Sequence, residues 1–207
     1  MKRIWLMVFV VSSGVLMAGL WIPLKALVAQ ELLAMAWAES QARQTEVRPW
    51  PWADTWPVAR LSLPEQAQSM IVLSGSHGES LAFGPGWFYG YQNGSGPVVL
   101  AGHRDTHFKP LQRLQPGHLV QLQSRDGRWR DFRVVSSRVI DARRHQLNPG
   151  QLAPDSLILV TCYPFDGMTS GGPLRYVVEA RATRPEQRNG AAVSARKLLP
   201  IDTVAGL

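Results

Sequence analysis

An uninterrupted apolar run near the N-terminus constrains this chain more than any other feature of its sequence. Ile4 to Leu24 comprises twenty-one positions without a single charged side chain. A helix of that length measures about 30 Å, which matches the hydrocarbon core of a bilayer. The run therefore predicts a transmembrane anchor over residues 4–24, preceded by a short N-terminus at residues 1–3.

Charged residues on the two sides of this run indicate its orientation. Lys2 and Arg3 precede it, whereas the charges that follow Lys25 are acidic, at Glu31 and Glu39. Positive charge accumulates on the cytoplasmic side of a membrane helix. We therefore expect the N-terminus in the cytoplasm and the rest of the chain on the extracytoplasmic, or periplasmic, side of the inner membrane.

A cleaved signal peptide is the alternative interpretation of the same run. The apolar region of such a peptide would be unusually long here. The nearest small-x-small cleavage patterns, Ala34–Ala36 and Ala36–Ala38, also lie well beyond its end. The sequence therefore favours an uncleaved, single-pass anchor.

The segment between the anchor and the first predicted strand has two parts. Lys25 to Arg43 contains neither Gly nor Pro, so the helix is expected to continue past the membrane as a short stalk. Residues 48–57 then contain three prolines and three tryptophans, which end the helix. Residues 25–56 are thus predicted to be a helical stalk and a Pro/Trp-rich linker. The tryptophan rings either pack on the following domain or form an interfacial belt or a lid.

Short alternating or β-rich runs, separated by Gly, Pro, Asn and Asp, dominate the sequence after Pro57. This sequence pattern is typical of an all-β domain. The predicted strands are Val58–Leu63, Ser69–Leu73, Leu81–Phe83, Pro97–Ala101, His118–Gln123, Trp129–Ile140, Ser156–Cys162 and Leu174–Arg184. Because closure removes exposed edges, we predict a closed eight-stranded β-barrel over residues 57–184, with short helices in its loops and a loose tail at residues 185–207.

Composition limits the chemistry that this domain can perform. The formal net charge of +7 favours anionic partners, either lipid headgroups or nucleic acid. The sequence carries no aromatic-basic nucleic-acid motif and the anchor removes the protein from that compartment, so we expect no nucleic-acid partner. The single cysteine, Cys162, excludes an intramolecular disulfide and a multi-thiolate metal site.

Three residues of the β region lie where a strand meets a loop and could carry chemistry. His103 follows an apolar strand, Cys162 ends another, and Arg175 opens the last one. A thiol is nucleophilic as the thiolate, which a cationic neighbour stabilises. The turn-rich loop after Cys162 can return the chain so that Arg175 lies beside it, whereas the sequence does not place His103.

The segments around these residues together resemble the sortase family, membrane-anchored cysteine transpeptidases built on an eight-stranded β-barrel. The matching stretches are Ala101-Gly102-His103-Arg104-Asp105-Thr106-His107-Phe108, Leu159-Val160-Thr161-Cys162-Tyr163-Pro164-Phe165 and Gly172-Pro173-Leu174-Arg175-Tyr176-Val177-Val178. The turn Phe83-Gly84-Pro85-Gly86 and the Pro/Trp-rich segment resemble the branch of the family found in Gram-negative bacteria.

The resemblance implies a ping-pong transpeptidation on a protein substrate with a C-terminal sorting motif of the Leu-Pro-x-Thr-Gly type. Cys162 is the expected nucleophile, His103 the general acid and base, and Arg175 the group that stabilises the substrate carbonyl and oxyanion. The expected partners are that substrate protein, an amine acceptor and the lipid bilayer. No cofactor is implied, and whether calcium modulates the barrel loops stays open.

Other interpretations of the same residues remain at this point. An anchored, non-enzymatic β-barrel could bind a partner through the basic run Arg125 to Arg144. A cysteine-dependent peptidoglycan transpeptidase also pairs Cys with His on a β-rich scaffold. His103 and Asp105 could instead be two ligands of a metal site, with His107, His118 or His145 as the third.

Overall fold

One long helix, α1, extends from Lys2 to Arg43 in the computed structural model, which describes residues 2–75, 78–90, 96–144, 148, 151–167 and 172–183. The apolar part of α1 has a mean hydropathy of 2.0, and none of it is buried against the rest of the chain. By length and composition α1 can cross a membrane. The predicted tail at residues 185–207, like His145, lies outside the described residues.

The second half of α1 is not a free stalk, because it packs against the barrel. Its buried residues recur at helical spacing and form one stripe, made of Ala29, Leu33, Ala36, Trp37 and Ser40. This stripe faces the first two strands and a short helix. Burying Leu33 and Trp37 stabilises the docked helix by about 1.5–3 kcal/mol per large side chain.

Eight strands form a closed barrel, as the sequence predicts. They are β1 (Pro57–Leu63), β2 (Gln68–Ser74), β3 (Gly86–Tyr89), β4 (Val98–Gly102), β5 (Leu119–Ser124), β6 (Trp129–Asp141), β7 (Ser156–Cys162) and β8 (Leu174–Ala182). Their order around the barrel is β1-β2-β3-β4-β7-β8-β6-β5, and β5 closes it on β1. Helix α2 (Gly78–Phe83) and two 3₁₀ turns, Pro64–Gln66 and Lys109–Arg113, lie in the connections.

The third predicted strand, Leu81–Phe83, is wrong. That segment is the end of α2, and the observed strand β3 begins three residues later, at Gly86. Gly84 lies between them so close to β2 that a Cβ atom there would stand 2.6 Å from the carbonyl oxygen of Ile71. The aromatic residues after Gly86 favour a strand, but the prediction from sequence placed no strand there.

Strands β4 and β7 are buried on both faces and position the site described below. Leu100 and Leu159 lie in the main core, with Phe132 of β6 and Val178 of β8. The residues of β4 and β7 that point to the other face, Val99, Ile158 and Val160, form a second apolar cluster with Val177 of β8. Parallel strands covered on both faces are typically continuous apolar runs, and the ends of such rigid strands hold side chains precisely.

Candidate active site

The parallel pairing of β4 with β7 brings His103 and Cys162 to the same edge of the barrel. Gly102, the last residue of β4, pairs with Thr161 of β7. The Thr161 hydroxyl donates a 2.7 Å hydrogen bond to the carbonyl oxygen of Gly102, which fixes the two strand ends against each other. His103 directly follows Gly102, and Cys162 directly follows Thr161 as the last residue of β7.

The antiparallel pairing of β7 with β8 places Arg175 directly opposite Cys162. Side chains opposite each other in an antiparallel pair extend from the same face of the sheet. The Arg175 guanidinium donates from Nη1 to the carbonyl oxygens of Gly172, at 2.5 Å, and Leu174, at 3.0 Å. These bonds hold the guanidinium near the loop that connects Cys162 to Arg175.

All three residues named from the sequence therefore lie at one edge, where three adjacent strands in the order β4, β7, β8 begin or end, and His103 directly follows β4. His103 is exposed, whereas Cys162 and Arg175 are half-buried. Along this edge Cys162 thus lies between His103, which directly follows β4, and Arg175 of β8. This arrangement can perform nucleophilic attack with proton transfer and oxyanion stabilisation.

The loop that carries His103 is anchored by a close packing contact. The Phe108 backbone N–H donates to the carbonyl oxygen of His103 at 3.0 Å, and the Phe108 ring is fully buried. A Cβ atom on Gly102 would lie 2.9 Å from that ring, so the contact requires a glycine next to His103. The backbone of His103 is consequently held by the core while its side chain stays in solvent.

Arg104 is a buried residue of this region that the sequence analysis missed. Its guanidinium donates from Nη2 to the carbonyl oxygen of Gly167 at 2.7 Å and from Nε to Asp105 Oδ1 at 3.3 Å. A Cβ atom on Gly167 would lie 3.0 Å from Arg104 Nη1, so the approach is tight. Arg104 thereby links the loop after His103 to the loop after Cys162. Charged residues in polar loops are mostly exposed, so no sequence signal marked it.

Replacing Arg104 by methionine is expected to lower the free energy of unfolding by about 1.5–3 kcal/mol, because a charge-assisted bond to the Gly167 carbonyl is lost. Arg113→Met is the matched control, since Arg113 is exposed, and its effect is expected to stay within about 0.5 kcal/mol. Urea unfolding followed by tryptophan fluorescence measures both. Equal effects of the two substitutions would show that Arg104 does not hold the loops together.

Described residues provide no third ligand for the metal interpretation of His103 and Asp105. No group of three His, Cys, Asp or Glu side chains suited to a metal occurs in the described part of the chain. His107 is partly buried, and its burial, together with the charge of nearby His103, lowers the pKa of its imidazole. His118 instead accepts a hydrogen bond from the Gln115 backbone at 3.3 Å.

Several arginines of the basic run contact other groups of the barrel itself, which weakens the case for a partner-binding surface. Arg133 donates to the carbonyl oxygen of Gly117 at 2.8 Å, and Arg138 lies 3.6 Å from Glu179. Arg143 also pairs with an acidic side chain, Asp141, at 3.4 Å. All three arginine side chains are exposed while they make these contacts, which is typical of a solvated strand surface.

An aromatic cluster and a groove border the edge that carries Cys162. Phe165 and Tyr176 make an edge-to-face contact with ring centroids 5.1 Å apart, and Tyr163 stacks on Tyr176 at 6.3 Å. The adjoining groove has a volume of about 450 Å³ and is lined by Lys109, Gln112, Tyr163, Pro164, Phe165 and Asp166. Its volume is in the range of sites that bind small ligands. The groove begins at the residue that follows Cys162.

Comparisons with known proteins agree with this architecture. The family model described as the sortase domain matches residues 61–183. Sortase D of Bacillus subtilis (strain 168) is 28% identical over 120 residues, which cover 57% of this chain and 60% of that protein. The match thus spans less than two thirds of that relative.

Solved structures share the fold at low sequence identity. Sortase A from Corynebacterium diphtheriae superposes with a TM-score of 0.54 at 20% identity, covering 67% of this chain and 66% of that one. A Clostridium perfringens sortase D5 transpeptidase gives a TM-score of 0.53 at 17% identity, covering 75% of this chain and 96% of that one. At such identities the likeness concerns the barrel fold alone.

Proposed function

The chain belongs to the sortase family, and from this premise we propose that it is a cysteine transpeptidase that cleaves a Leu-Pro-x-Thr-Gly-like motif and transfers the acyl group to an amine. The observation that carries this proposal is the register of three strands, with Cys162 opposite Arg175 and beside the strand end that leads into His103. Assignment to the Gram-negative branch of the family stays a prediction.

Cys162 begins the proposed reaction as the thiolate. Its sulfur attacks the carbonyl carbon of the scissile peptide bond, and the carbon–nitrogen bond then breaks to leave a thioester on Cys162. His103 gives its proton to the departing amine. An incoming amine next attacks the thioester, His103 accepts the proton from that amine, and the thiolate leaves. The proton that His103 gives up in the first step is replaced in the second, and no cofactor takes part.

Arg175 is the proposed ligand of the substrate carbonyl and of the oxyanion that forms on attack. Its two described hydrogen bonds both come from Nη1. A guanidinium has five N–H donors, so those on Nε and Nη2 can turn towards the substrate while Nη1 keeps the side chain in place. A group that is positioned before the reaction stabilises the developing charge without reorganisation.

The groove beside Tyr163 is the proposed binding site for the residues of the sorting motif that precede the scissile bond. It is bordered by aromatic side chains and starts next to the nucleophile. Incubating the protein with a fluorogenic Leu-Pro-x-Thr-Gly peptide and a glycine-based amine tests the whole proposal. Transfer product is expected, and the absence of both transfer and cleavage across variants of the motif would contradict it.

Membrane anchoring by α1 is part of the same proposal, with the barrel on the extracytoplasmic side of the inner membrane as a single-pass protein. The partners would be a protein substrate with a C-terminal sorting motif, an amine acceptor and the bilayer. The apolar run and the basic residues ahead of it support this arrangement.

Trypsin added to intact spheroplasts is expected to cut the chain after Arg43, because this side chain is exposed at the end of α1, before the barrel begins. Immunoblotting with an antibody to the barrel would detect the released domain. A cytoplasmic protein in the same sample serves as the control and should stay intact. Protection of the barrel until the membrane is permeabilised would reverse the proposed orientation.

A further inference from the structure

An open apolar cleft, whose lining includes none of His103, Cys162 and Arg175, lies where α1 leaves the proposed membrane span. It has a volume of about 790 Å³. Its lining comes from α1, the Pro/Trp-rich linker and α2, and includes Trp21, Leu24, Lys25, Val28, Trp52 and Asp54. The volume is in the range of sites that bind small ligands.

Specific contacts build the walls of this cleft. The Thr55 hydroxyl donates to the carbonyl oxygen of Ser74 at 2.9 Å, which ties the linker to β2. Gln30 Nε2 donates to the carbonyl oxygen of Phe83 at 2.8 Å and so ties α1 to α2. The Phe83 ring in turn meets Trp50 edge-to-face at 5.2 Å. The cleft is therefore a defined cavity between three anchored elements.

Large apolar side chains around the cleft are nevertheless open to solvent. Trp52 is 82% exposed, and Val28 and Leu24 are 51% and 53% exposed. Exposed apolar surface of this extent on an otherwise polar domain marks an interaction site. Since the same helix face continues directly into the apolar run, the natural contact for this surface is the membrane.

The position of the cleft relative to the bilayer follows from the rise per residue of α1. With the hydrocarbon boundary near Leu24, a rise of about 1.5 Å per residue puts Val28 roughly 6 Å and Leu32 roughly 12 Å above it. The headgroup layer of one leaflet is about 5–8 Å thick. The cleft thus extends from the acyl chains through the headgroups to just above them.

We propose that this cleft binds a zwitterionic phospholipid of the leaflet that faces the barrel, and that the barrel thereby sits on the membrane surface. The inference rests on the proposed anchoring by α1. An acyl chain would lie against Trp21 and Leu24, at and just below the hydrocarbon boundary, and the headgroup would lie beside Val28, next to the exposed Trp52. Tryptophan is the residue type that prefers this interface, because its ring is apolar and its N–H is polar.

Charges at the cleft match both ends of such a headgroup. Lys25 supplies a cation at the hydrocarbon boundary, with its Nζ 4.8 Å from the centroid of the Trp21 ring, and can meet the lipid phosphate. Asp54 supplies an exposed carboxylate in the same lining and can meet the ammonium group of the lipid. A purely anionic lipid would gain the first contact and be repelled by the second.

Fluorescence quenching by nitroxide-labelled lipids tests this inference on the full-length chain in vesicles. In a Cys162→Ala background, a single cysteine is introduced by Trp52→Cys at the cleft, Val11→Cys in the apolar run or Met35→Cys farther along α1, and labelled with an environment-sensitive dye. Met35 is exposed but outside the cleft, roughly 16 Å above the boundary. Because Trp52 and Met35 are both largely exposed, neither substitution should unfold the protein.

The expected result in phosphatidylcholine vesicles is strong quenching at Val11, comparable quenching at Trp52 and little at Met35. Quenching at Val11 with no more quenching at Trp52 than at Met35 would overturn the lipid site and leave the anchoring intact. No quenching at Val11 would overturn the anchoring itself. Equal or stronger quenching at Trp52 in purely anionic vesicles would overturn the headgroup assignment.

Discussion

Replacing Cys162 by alanine is expected to abolish transpeptidation while leaving the barrel folded. Loss of the nucleophile in a covalent mechanism removes about 10⁴–10⁶-fold in rate, since no other thiol is present in the chain to replace it. The side chain is only half-buried at a strand end, so the free energy of unfolding should change by less than about 1 kcal/mol. Single-turnover acylation by a sorting-motif peptide and urea unfolding measure the two quantities.

Thiol labelling provides the control for that experiment. A methanethiosulfonate reagent is expected to modify the folded native protein once, at Cys162, and to block acylation. The Cys162→Ala variant should take up no reagent and show the same unfolding transition as the native protein. Turnover that survives in this variant would show that the proposed nucleophile is wrong.

Much of the fold could be predicted because its signals are local. An apolar run of twenty-one residues predicts a helix that can cross a membrane, and α1 has that character. Alternation of apolar and polar residues predicts strands, and β6 shows such a pattern between Asp131 and Val134, where Phe132 and Val134 are buried. The prediction at Leu81–Phe83 is wrong because its local signal is ambiguous: three apolar residues fit either a helix or a strand. The chain also passes so close to β2 at Gly84 that a side chain would not fit there, a contact that the sequence does not display.

Placement of the site depends on contacts of different range. Cys162 and Arg175 are joined by one loop, so the sequence could predict them on neighbouring strands, and their register now makes them direct partners. His103 reaches the same edge through the parallel pairing of β4 with β7, whose paired positions Gly102 and Thr161 are 59 residues apart in sequence. Pairing at that separation is set by the closure of the whole barrel. The burial of Arg104 depends on the same closure, and it was missed for that reason.

Arg175 is expected to need the paired N–H donors of its planar guanidinium, as well as its positive charge, to support acylation. Lysine at this position keeps a cation opposite Cys162 but cannot supply paired donors. Arg175→Lys should therefore slow acylation by roughly 10²–10³-fold, the loss typical of one oxyanion donor. The loss should be alike for a sorting-motif peptide and for an activated thioester, because both form an oxyanion. Arg138→Lys is the matched control on β6, since that arginine meets Glu179 at the barrel surface.

His103 is expected to show the opposite pattern, and the same two substrates reveal it. A peptide amine leaves only with a proton, whereas the thiolate of a thioester leaves without one. If His103 donates that proton, His103→Ala should slow acylation by the peptide about 10²–10⁴-fold and acylation by the thioester far less. Equal losses on both substrates would refute the general-acid role. His103 would then act either as an ion-pair partner of Cys162 across the paired ends of β4 and β7 or as a structural residue of the site.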